Sequence, residues 1–293
     1  MGSEVKGISL LSTYFAPPFG SCAAKIDAIL PGPEQARLMG LSFSQIDRLE
    51  RQYLITDVAA QHSDIDYVPA DKPVNCQLTL EILRKQQIFF KQNPVLTPFI
   101  VCDTDLLFFK SVSHLFEKDF DIALTKRSDN KKMPFNSGIF FVNNRNPHAA
   151  YQFWALKVQT IERHFMSDAC WYGDQLVLTK IMDEYATPLA EDLYEVDGLK
   201  ILLLDGDEYN FSPPRDHSYL CFRPKVHVYH FKGRSRAFME YFYRFYVSAE
   251  KDWFFTPLKI LFYSAWLELK HKQLKKLFTQ SRERLSPVAR PVQ

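Results

Sequence analysis

Apolar runs of strand length alternate with longer stretches of helical spacing along most of this 293-residue chain. The runs that predict strands cover residues 8–15, 53–58, 98–102, 120–124, 139–143, 201–204 and 226–230. The stretches that predict helices cover residues 77–92, 147–165 and 174–185, and a further one begins at Ser235. This alternation is typical of an α/β domain with a mostly parallel sheet flanked by helices, which we expect over residues 1–250. Residues 16–45, which hold four prolines, are predicted to be irregular.

The basic residues of the chain are concentrated at its C-terminus. Residues 270–293 hold seven Lys and Arg residues against one acid, Glu283, which leaves residues 1–269 with a net charge of −4. A basic tail on an acidic body does not suit a uniformly basic nucleic-acid-binding domain, so we expect no nucleic acid partner.

An apolar stripe at helical spacing begins in front of these basic residues. Its members are Leu258, Phe262, Ala265, Trp266 and Leu269. We predict that residues 251–293 form a basic amphipathic helical tail that lies on an anionic membrane surface. The alternative is a helix that packs on the main domain and exposes its basic face to solvent.

Cysteine usage and the apolar segments bear on where the protein works. The five cysteines are scattered and contain no C-x-x-C pair, which argues against a disulfide framework and favours a reducing compartment. No apolar run follows a basic start, so we expect no secretory signal. The longest apolar stretch, residues 253–269, is interrupted by Pro257, Lys259 and Glu268 and is a poor spanning helix. We therefore expect the protein in the cytoplasm or peripherally on the inner face of a membrane.

Two carboxylates, Asp103 and Asp105, directly follow the apolar run that ends at Cys102. Because side chains alternate along an extended chain, both carboxylates point to one face and Thr104 points to the other. At the carboxyl end of a parallel strand they would border the crevice where open α/β sheets bind ligands. Neighbouring carboxylates repel each other and favour a cation, and their oxygens suit Mg²⁺ or Mn²⁺ that bridges to substrate phosphates. The sequence therefore predicts a metal and phosphate site here.

Two other interpretations fit this D-x-D pattern when it is taken alone. One is a solvated turn with a helix cap after the strand. The other is a haloacid-dehalogenase-like phosphatase, which also places D-x-D after a strand. That chemistry uses Thr or Val two positions after the second Asp, and its motif normally opens the chain. Here Leu106 and Leu107 follow a motif that lies a third of the way in, which disfavours the phosphatase.

Several further motifs occur in a fixed order around the two carboxylates. They are Leu83-Arg84, Phe120-Asp121-Ile-Ala-Leu, Pro134-Phe-Asn136-Ser137-Gly138, Trp171-Tyr-Gly173-Asp174-Gln175 and His230-Phe-Lys232-Gly233. The ordered set, over residues 53–235, resembles the retaining GT-A glycosyltransferases. It is most similar to family 8, the group of bacterial lipopolysaccharide galactosyl- and glucosyltransferases and glycogenin. The resemblance implies a GT-A fold and transfer of a sugar from a nucleotide donor, UDP-hexose by default, to a glycan or glycolipid acceptor.

The resemblance implies a metal site with three protein ligands. Asp103 and Asp105 would bind Mn²⁺ or Mg²⁺ together with His230, and imidazole suits Mn²⁺ better than an all-oxygen Mg²⁺ shell. The alternative for His230 is a histidine satisfied within the core. Lys232, in a His-x-x-Gly motif that ends at Gly233, would meet the diphosphate as a point charge. The family often continues with Lys-Pro-Trp, whereas this chain has Arg234-Ser-Arg236, either arginine of which could serve the phosphates.

The donor nucleotide is expected on the N-terminal side of the sheet. The first strand, with Thr13 and Tyr14, is where this fold usually holds the base, and Thr104 lies within the donor-binding motif. Tyr14 could stack on uracil or could be a core tyrosine. Arg84 resembles the family's basic residue that contacts the donor. The alternative for Arg84 is a solvated helix face, with Lys85 as the inward residue.

The transferred sugar is expected to contact two motifs, one neutral and one that contains an acid. Asn136, Ser137 and Gly138 offer hydrogen-bonding groups for sugar hydroxyls and close backbone approach, although an ordinary turn is equally compatible. Asp174 and Gln175 would lie beside the reactive face of the transferred sugar, while helix capping alone would also explain Asp174. A second acidic turn, residues 205–208, lacks a third ligand nearby and is interpreted as a loop. A non-catalytic membrane-surface protein of the same fold is the non-enzyme alternative.

Overall fold

The computed structural model describes residues 7–16, 30–72, 78–127, 132–166, 173–212, 223–247 and 269. The strands are β1 (Ile8–Tyr14), β2 (Leu49–Thr56), β3 (Asp66–Pro69), β4 (Phe99–Cys102), β5 (Leu106–Phe108), β6 (Ile122–Lys126), β7 (Phe135–Val142), β8 (Thr187–Ala190), β9 (Leu193–Val196), β10 (Leu199–Asp205) and β11 (Val228–His230). The α-helices are α1 (Gly32–Ser44), α2 (Leu78–Gln92), α3 (Ala149–His164), α4 (Gly173–Tyr185), α5 (Gly206–Tyr209) and α6 (Met239–Phe242). The 3₁₀ helices are Ser113–Glu117 and Gly233–Phe238, and a π-helical turn spans Tyr243–Val247.

Nine of these described strands form one mixed sheet in the order β3-β2-β1-β4-β7-β6-β10-β9-β8. The pairs β1–β2, β2–β3, β1–β4 and β6–β10 are parallel, and the other four pairs are antiparallel. Only β7 and β9 run against the common direction, so the sheet is mostly parallel. Strands β5 and β11 form a separate antiparallel pair. The prediction of an α/β fold with a mostly parallel sheet flanked by helices is confirmed.

Strand β4 shows why the sheet is buried on both faces. Ile100 and Cys102 pack into the core cluster that holds Met39 and Phe43 of α1. Phe99 and Val101, the alternate residues, pack into a second cluster built from α2, α3 and α4, which holds the fully buried Trp154. Because successive side chains of a strand point to opposite faces, an unbroken apolar run is what a strand between two helical layers requires.

Helix α1 corrects the prediction that residues 16–45 are irregular. Pro31 is the residue before the helix and Pro33 lies in its first turn. Proline is tolerated there because the first N–H groups of a helix have no acceptor within it. The apolar residues that follow, including Met39 and Phe43, are fully buried under β1 and β4. The rest of the segment, residues 17–29, lies outside the described residues.

Several predicted elements shift at their ends, and four short strands were not predicted. Strand β2 begins at Leu49, four residues before the predicted start, and β7 begins at Phe135. The unpredicted strands are β3, β5, β8 and β9, of three or four residues each, which are too short to show an alternating pattern. The helix predicted from Ser235 is a succession of 3₁₀, α and π turns.

The predicted tail over residues 251–293 lies outside the described residues, apart from the exposed Leu269. The boundary proposed at residue 250 therefore stays a prediction. In the part of the chain that is described, no helix is both long enough and apolar enough to cross a membrane.

Candidate metal centre and adjoining cavity

The main chain brings together three side chains of types that can ligate a metal ion. The backbone N–H of Asp103 donates to the carbonyl of Gly138 at 2.9 Å, which fixes the end of β4 against β7. The backbone N–H of Phe231 donates to the carbonyl of Asp105 at 2.8 Å. Strand β11 pairs with β5 so that His230 lies opposite Leu106. The sequence neighbours of the two carboxylates thus position a histidine that comes 125 residues later in the chain.

The ligand atoms of Asp103, Asp105 and His230 lie within 4.8 Å of one another. Nε2 of His230 is 3.3 Å from Oδ2 of Asp103 and 3.1 Å from Oδ1 of Asp105. Asp105 and His230 are buried, whereas the Asp103 side chain is 56% exposed. Oδ1 of Asp105 is buried without a hydrogen bond within the described structure. A buried, unpartnered carboxylate oxygen that faces an imidazole nitrogen is what a divalent cation would satisfy.

A hydrogen-bond chain holds the His230 ring in one orientation. Nδ1 of His230 is 2.8 Å from Oδ1 of Asn210, and the Asn210 amide donates to Oγ1 of Thr125 at 2.9 Å. Thr125 in turn donates to the carbonyl of Asn136 at 3.2 Å. Since Asn210 Oδ1 can only accept, Nδ1 carries a proton, and in the neutral imidazole the lone pair is therefore on Nε2, the nitrogen that faces the carboxylates. Asn210 was not predicted, because a single asparagine after a turn carries no sequence signal of this role.

Gly138 makes room for the histidine. A Cβ atom at this position would lie 2.3 Å from Cε1 of His230 and 3.2 Å from Oδ2 of Asp103. The sequence analysis expected Gly138 to allow close approach of a ligand, whereas in the structure His230 and Asp103 approach it. No larger residue fits while His230 keeps this position.

Arg236 adds a positive charge that the motif did not assign to this place. Its Nε donates to Oδ2 of Asp105 at 2.5 Å. Burial raises the pKa of Asp105, but Arg236 and then His230 outweigh it and hold the pKa below its usual range. For His230, burial lowers the pKa, and Asp105 and Asp103 outweigh that effect and raise it. Lys232 is exposed after β11, and Gly233 turns the chain with φ of +59°.

A cavity of roughly 90 Å³ adjoins the cluster on its β7 side. It is lined by Thr79, Ile82, Leu83, Gln86, Val101, Cys102, Asp103, Ser137, Phe140, Lys157 and Asp174. Asp103 alone belongs to both the cavity and the three-residue cluster. The cavity therefore lies next to any ligand held by the cluster.

Asp174 is one of the two acids that line this cavity, together with Asp103. Its Oδ2 accepts a short hydrogen bond from the Ser137 hydroxyl, and its Oδ1 accepts from the backbone N–H of Gln175 at 2.9 Å. Burial raises the pKa of Asp174, while Ser137 and Lys157 act in the opposite direction. Oε1 of Gln175 is buried and has no hydrogen-bond partner in the described part of the chain. Asp174 is the second residue of α4, so it lies in the first turn of the helix, where an acid is favourable, and it also faces the cavity.

Lys157 was not predicted by the sequence analysis. It lies on α3 and is 1% exposed, with its Nζ 4.1 Å from the centre of the Phe140 ring and 5.0 Å from that of Trp154. In the sequence it is one lysine in an amphipathic helix, where an exposed position is the default expectation. Only the packing of α3 on β7 shows that it is buried beside the cavity.

Arg84 does not line the cavity. Its guanidinium donates to Glu81 at 2.7 Å and to Glu162 at 2.6 Å, and the side chain is 41% exposed. Arg84 therefore lies on a solvated helix face, which is the alternative given for it above. Its ion pair with Glu162 links α2 to α3. The same helix instead presents Thr79 and Gln86 to the cavity. A phase error of two positions on a helix is enough to exchange the inward and outward residues.

The residues predicted for the nucleotide side make mainly internal contacts. Oγ1 of Thr13 accepts from the Gln86 amide at 3.1 Å. The Tyr14 ring packs so closely on Gly32 that a Cβ there would lie 2.1 Å from it. Thr104 is buried and donates to Oε1 of Gln35 at 3.4 Å. Contact of these residues with a nucleotide stays a prediction.

His227 lies apart from the cluster, as its position three residues before His230 predicts. Its ring stacks on Tyr209 with centroids 4.7 Å apart, and Nδ1 is 2.8 Å from the carbonyl oxygen of Ser111. Burial lowers the pKa of His227. These contacts are those of a histidine that supports packing.

A sequence profile of the nucleotide-diphospho-sugar transferase family matches residues 96–238, just under half of the chain. The matched region contains Asp103, Asp105, Asp174 and His230. Together with the α/β fold and the cluster, this match supports nucleotide-sugar glycosyltransferase as the class of the protein. A search among curated proteins gives no significant match.

Three solved structures illustrate the similarity of the fold. The galactosyltransferase LgtC, in complex with donor and acceptor sugar analogues, is 10% identical with a TM-score of 0.48, over 84% of this chain and 98% of that one. The apo-form glycosyltransferase GlyE of Streptococcus pneumoniae is 15% identical with a TM-score of 0.48, over 85% and 56%. Apo mouse xyloside xylosyltransferase 1 is 13% identical with a TM-score of 0.47, over 78% and 99%.

Proposed function

We propose that this protein is a metal-dependent glycosyltransferase that moves a hexose from a UDP-hexose donor to a glycan or glycolipid acceptor, with retention of configuration. The observation that carries the proposal is the cluster of Asp103, Asp105 and His230, whose ligand atoms lie within 4.8 Å at the carboxyl end of a strand. The family profile, which spans all three residues, supports it. UDP and retention rest on the resemblance of the motifs to family 8.

The cluster fits Mn²⁺ or Mg²⁺. Asp103, Asp105 and His230 would hold the ion, and three features support the fit: the mixed oxygen and nitrogen donors, the unpartnered Oδ1 of Asp105 and the Nε2 lone pair of His230. A bound ion supplies positive charge beside a departing diphosphate. The imidazole ligand favours Mn²⁺. Arg236 occupies the second oxygen of Asp105, which leaves Oδ1 for the cation.

The remaining site residues divide between the diphosphate and the sugar. Lys232, exposed directly after β11, would contact the diphosphate, with Gly233 allowing the turn that follows. Asn136 and Ser137 on β7, with Asp174 and Gln175 at the start of α4, would contact the transferred sugar. The Ser137–Asp174 hydrogen bond supports the assignment, because it orients the carboxylate beside the cavity.

On the nucleotide side we propose Thr13, Tyr14 and Thr104, at the ends of β1 and β4. Arg84 could join them only by leaving its ion pairs with Glu81 and Glu162. For this reason Arg84 contributes least to the proposal.

The proposed place of action follows from the sequence of the tail. The basic residues beyond residue 269 and the acidic body support attachment of the tail to an anionic membrane surface on the cytoplasmic side. A lipid-linked acceptor would then be within reach of the site.

Binding of UDP in the presence and absence of Mn²⁺, measured by calorimetry, tests the metal-dependent site. We expect His230→Ala and Asp105→Asn to lose the Mn²⁺-dependent part of UDP binding. His227→Ala is the matched control and should retain Mn²⁺-dependent UDP binding. The His227 side chain packs against Tyr209 and contacts the Ser111 carbonyl, both of which lie outside the cluster. UDP binding that is independent of Mn²⁺ in the wild type would contradict the proposal.

A screen of nucleotide sugars for Mn²⁺-dependent release of nucleoside diphosphate tests the reaction and identifies the donor. Release from at least one nucleotide hexose, lost in His230→Ala, is the expected result. A protein that binds UDP with Mn²⁺ but turns over no donor, with or without a glycolipid acceptor, would instead be a non-catalytic member of this fold.

A further inference from the structure

Lys157 places its ammonium group in a buried part of the molecule where its nearest neighbours are aromatic rings. It is 1% exposed, and its Nζ lies 4.1 Å from the Phe140 ring centre, 5.0 Å from that of Trp154 and 5.9 Å from that of Phe153. Contacts with aromatic faces recover only part of the solvation energy of an ammonium group. Burial accordingly lowers the pKa of Lys157 to about 8. Near neutral pH most of these side chains are still charged.

No hydrogen bond or ion pair satisfies the Lys157 ammonium within the described residues. The acids that raise its pKa are Asp174 and Asp103, which act through space. Asp174 is not within ion-pair distance of Nζ; its oxygens accept from the Ser137 hydroxyl and the Gln175 backbone N–H, and each has a second lone pair for a ligand. An ammonium group has three protons to donate, so Lys157 needs an oxygen from another source.

A molecule bound in the cavity could supply this oxygen. Lys157, Asp174, Ser137 and Asp103 line it together, and its volume of roughly 90 Å³ is enough for several water molecules or the hydroxyl groups along one edge of a sugar ring. Paired acidic and basic side chains can accept from one hydroxyl and donate to its neighbour. This is the arrangement that Asp174 and Lys157 provide across the cavity.

The position of the cavity favours the sugar over the diphosphate. The groups proposed to meet the diphosphate, namely the cluster and Lys232, lie along β5 and β11, and of these only Asp103 borders the cavity. A donor with its diphosphate at the cluster would carry its hexose next to that point. Leu83, Ile82 and Phe140 supply the apolar walls against which a sugar ring can pack.

We propose that Lys157 is a sugar-binding residue of the donor site, whose ammonium donates a hydrogen bond to a hydroxyl oxygen of the transferred hexose while Asp174 accepts from a neighbouring hydroxyl. This inference rests on the proposed function and extends it. It assigns to Lys157, on α3, a basic contact with the donor, whereas the sequence analysis expected such a contact from Arg84 of α2. Lys157 is thereby a determinant of which nucleotide sugar is bound.

The test compares UDP, which carries no hexose, with two UDP-hexoses. Calorimetry with Mn²⁺ gives the dissociation constants of UDP and of UDP-galactose and UDP-glucose for the wild type and for Lys157→Met. Methionine is close to lysine in length and apolar, so it fills the same space without the charge. We expect UDP to bind within about twofold of the wild type and the ratio of the UDP-hexose constant to the UDP constant to rise roughly tenfold, which corresponds to the loss of one hydrogen bond to a charged group.

Two further variants complete the test. Lys180→Met, which removes an ion-paired lysine on the exposed side of α4, is the matched control and should leave the ratio unchanged. Lys157→Gln keeps a hydrogen-bond donor without the charge, and an intermediate ratio is expected; it also replaces Lys157→Met should that variant fail to fold. An unchanged ratio in the Lys157 variants, or an equal loss for UDP, would overturn the assignment to the sugar. Absence of Mn²⁺-dependent UDP binding in the wild type would overturn the proposed function itself.

Discussion

Nδ1 of His230 lies 2.8 Å from Oδ1 of Asn210, and this contact decides which ring nitrogen faces Asp103 and Asp105. Removal of the residue that hydrogen-bonds the other ring nitrogen of a metal-binding histidine typically lowers metal affinity by about 10- to 100-fold. We therefore expect Asn210→Ala to weaken Mn²⁺ binding by at least roughly tenfold, measured by calorimetric titration. The control is Asn144→Ala, whose amide bonds the Leu96 carbonyl at the surface. Wild-type affinity in Asn210→Ala would mean that the ring orientation is set by packing alone.

Gly138 gives a steric test of the same site. In Gly138→Ala the new Cβ would lie 2.3 Å from Cε1 of His230, so the imidazole must move away from the carboxylates. We expect Mn²⁺ affinity to fall and the free energy of unfolding to fall by about 1–3 kcal/mol, as for other overpacked positions. Gly198→Ala is the matched control, because Gly198 has φ of +75° but nothing within 4 Å of its Cβ position. It should lose stability through backbone strain and keep its Mn²⁺ affinity.

The variant Asp174→Asn distinguishes a helix-capping role of Asp174 from a role at the transferred sugar. Asparagine caps helices nearly as well as aspartate, so Asp174→Asn should preserve the start of α4. If the carboxylate acts at the reacting centre, kcat should fall roughly 100-fold or more while the donor dissociation constant changes little. Steady-state kinetics and donor calorimetry on the same preparation make this comparison. Near-normal turnover would assign Asp174 to capping alone.

Lys157 should make the free energy of unfolding depend on alkaline pH. Its pKa is lowered from 10.5 to about 8 in the folded protein, so between these values the unfolded chain binds more protons than the folded one. The contribution of Lys157 to the free energy of unfolding therefore rises as the pH rises from about 8 to about 10.5. Near neutral pH the buried charge lowers the free energy of unfolding by on the order of 3 kcal/mol.

Lys157→Met removes this cost, and we expect it to be more stable than the wild type near neutral pH. The difference should shrink above about pH 9, where the native lysine is neutral. Denaturant unfolding of both proteins across this range measures it. A variant that is less stable at neutral pH would show that the ammonium is better satisfied than the contacts of Lys157 indicate.

The C-terminal tail is predicted to bind anionic vesicles. Each basic residue near such a surface contributes about 1 kcal/mol, and the contribution falls as salt shortens its range. Replacing Lys272, Lys275 and Lys276 by Glu in the full chain should therefore abolish co-sedimentation with vesicles at low salt. UDP binding with Mn²⁺ should be unaffected. Vesicle binding that survives the replacements, or that is absent in the wild type, would favour a helix that packs on the main domain.

The local sequence predicts much of the fold and the position of the two carboxylates of the site. The unbroken apolar run of β4 requires burial on both faces, and the alternation of strand and helix patterns requires a layered α/β sheet. Asp103 and Asp105 follow that run within three residues, so their position at the strand end is a local property. The prediction of irregular structure over residues 16–45 was wrong for residues 32–44, because prolines at the start of a helix are compatible with α1.

The rest of the site depends on pairing between distant parts of the chain. His230 could be placed by its motif, but its contact with Asp105 depends on the pairing of β11 with β5, and its orientation depends on Asn210. Arg84 lies on the solvated face of α2 and Lys157 is buried, and neither position could be predicted because sequence gives the phase of an amphipathic helix only approximately. Sequence by itself thus determined which residue types could hold a metal and a phosphate. The packing of α3 on β7, which no local pattern encodes, decided which lysine lies beside the cavity.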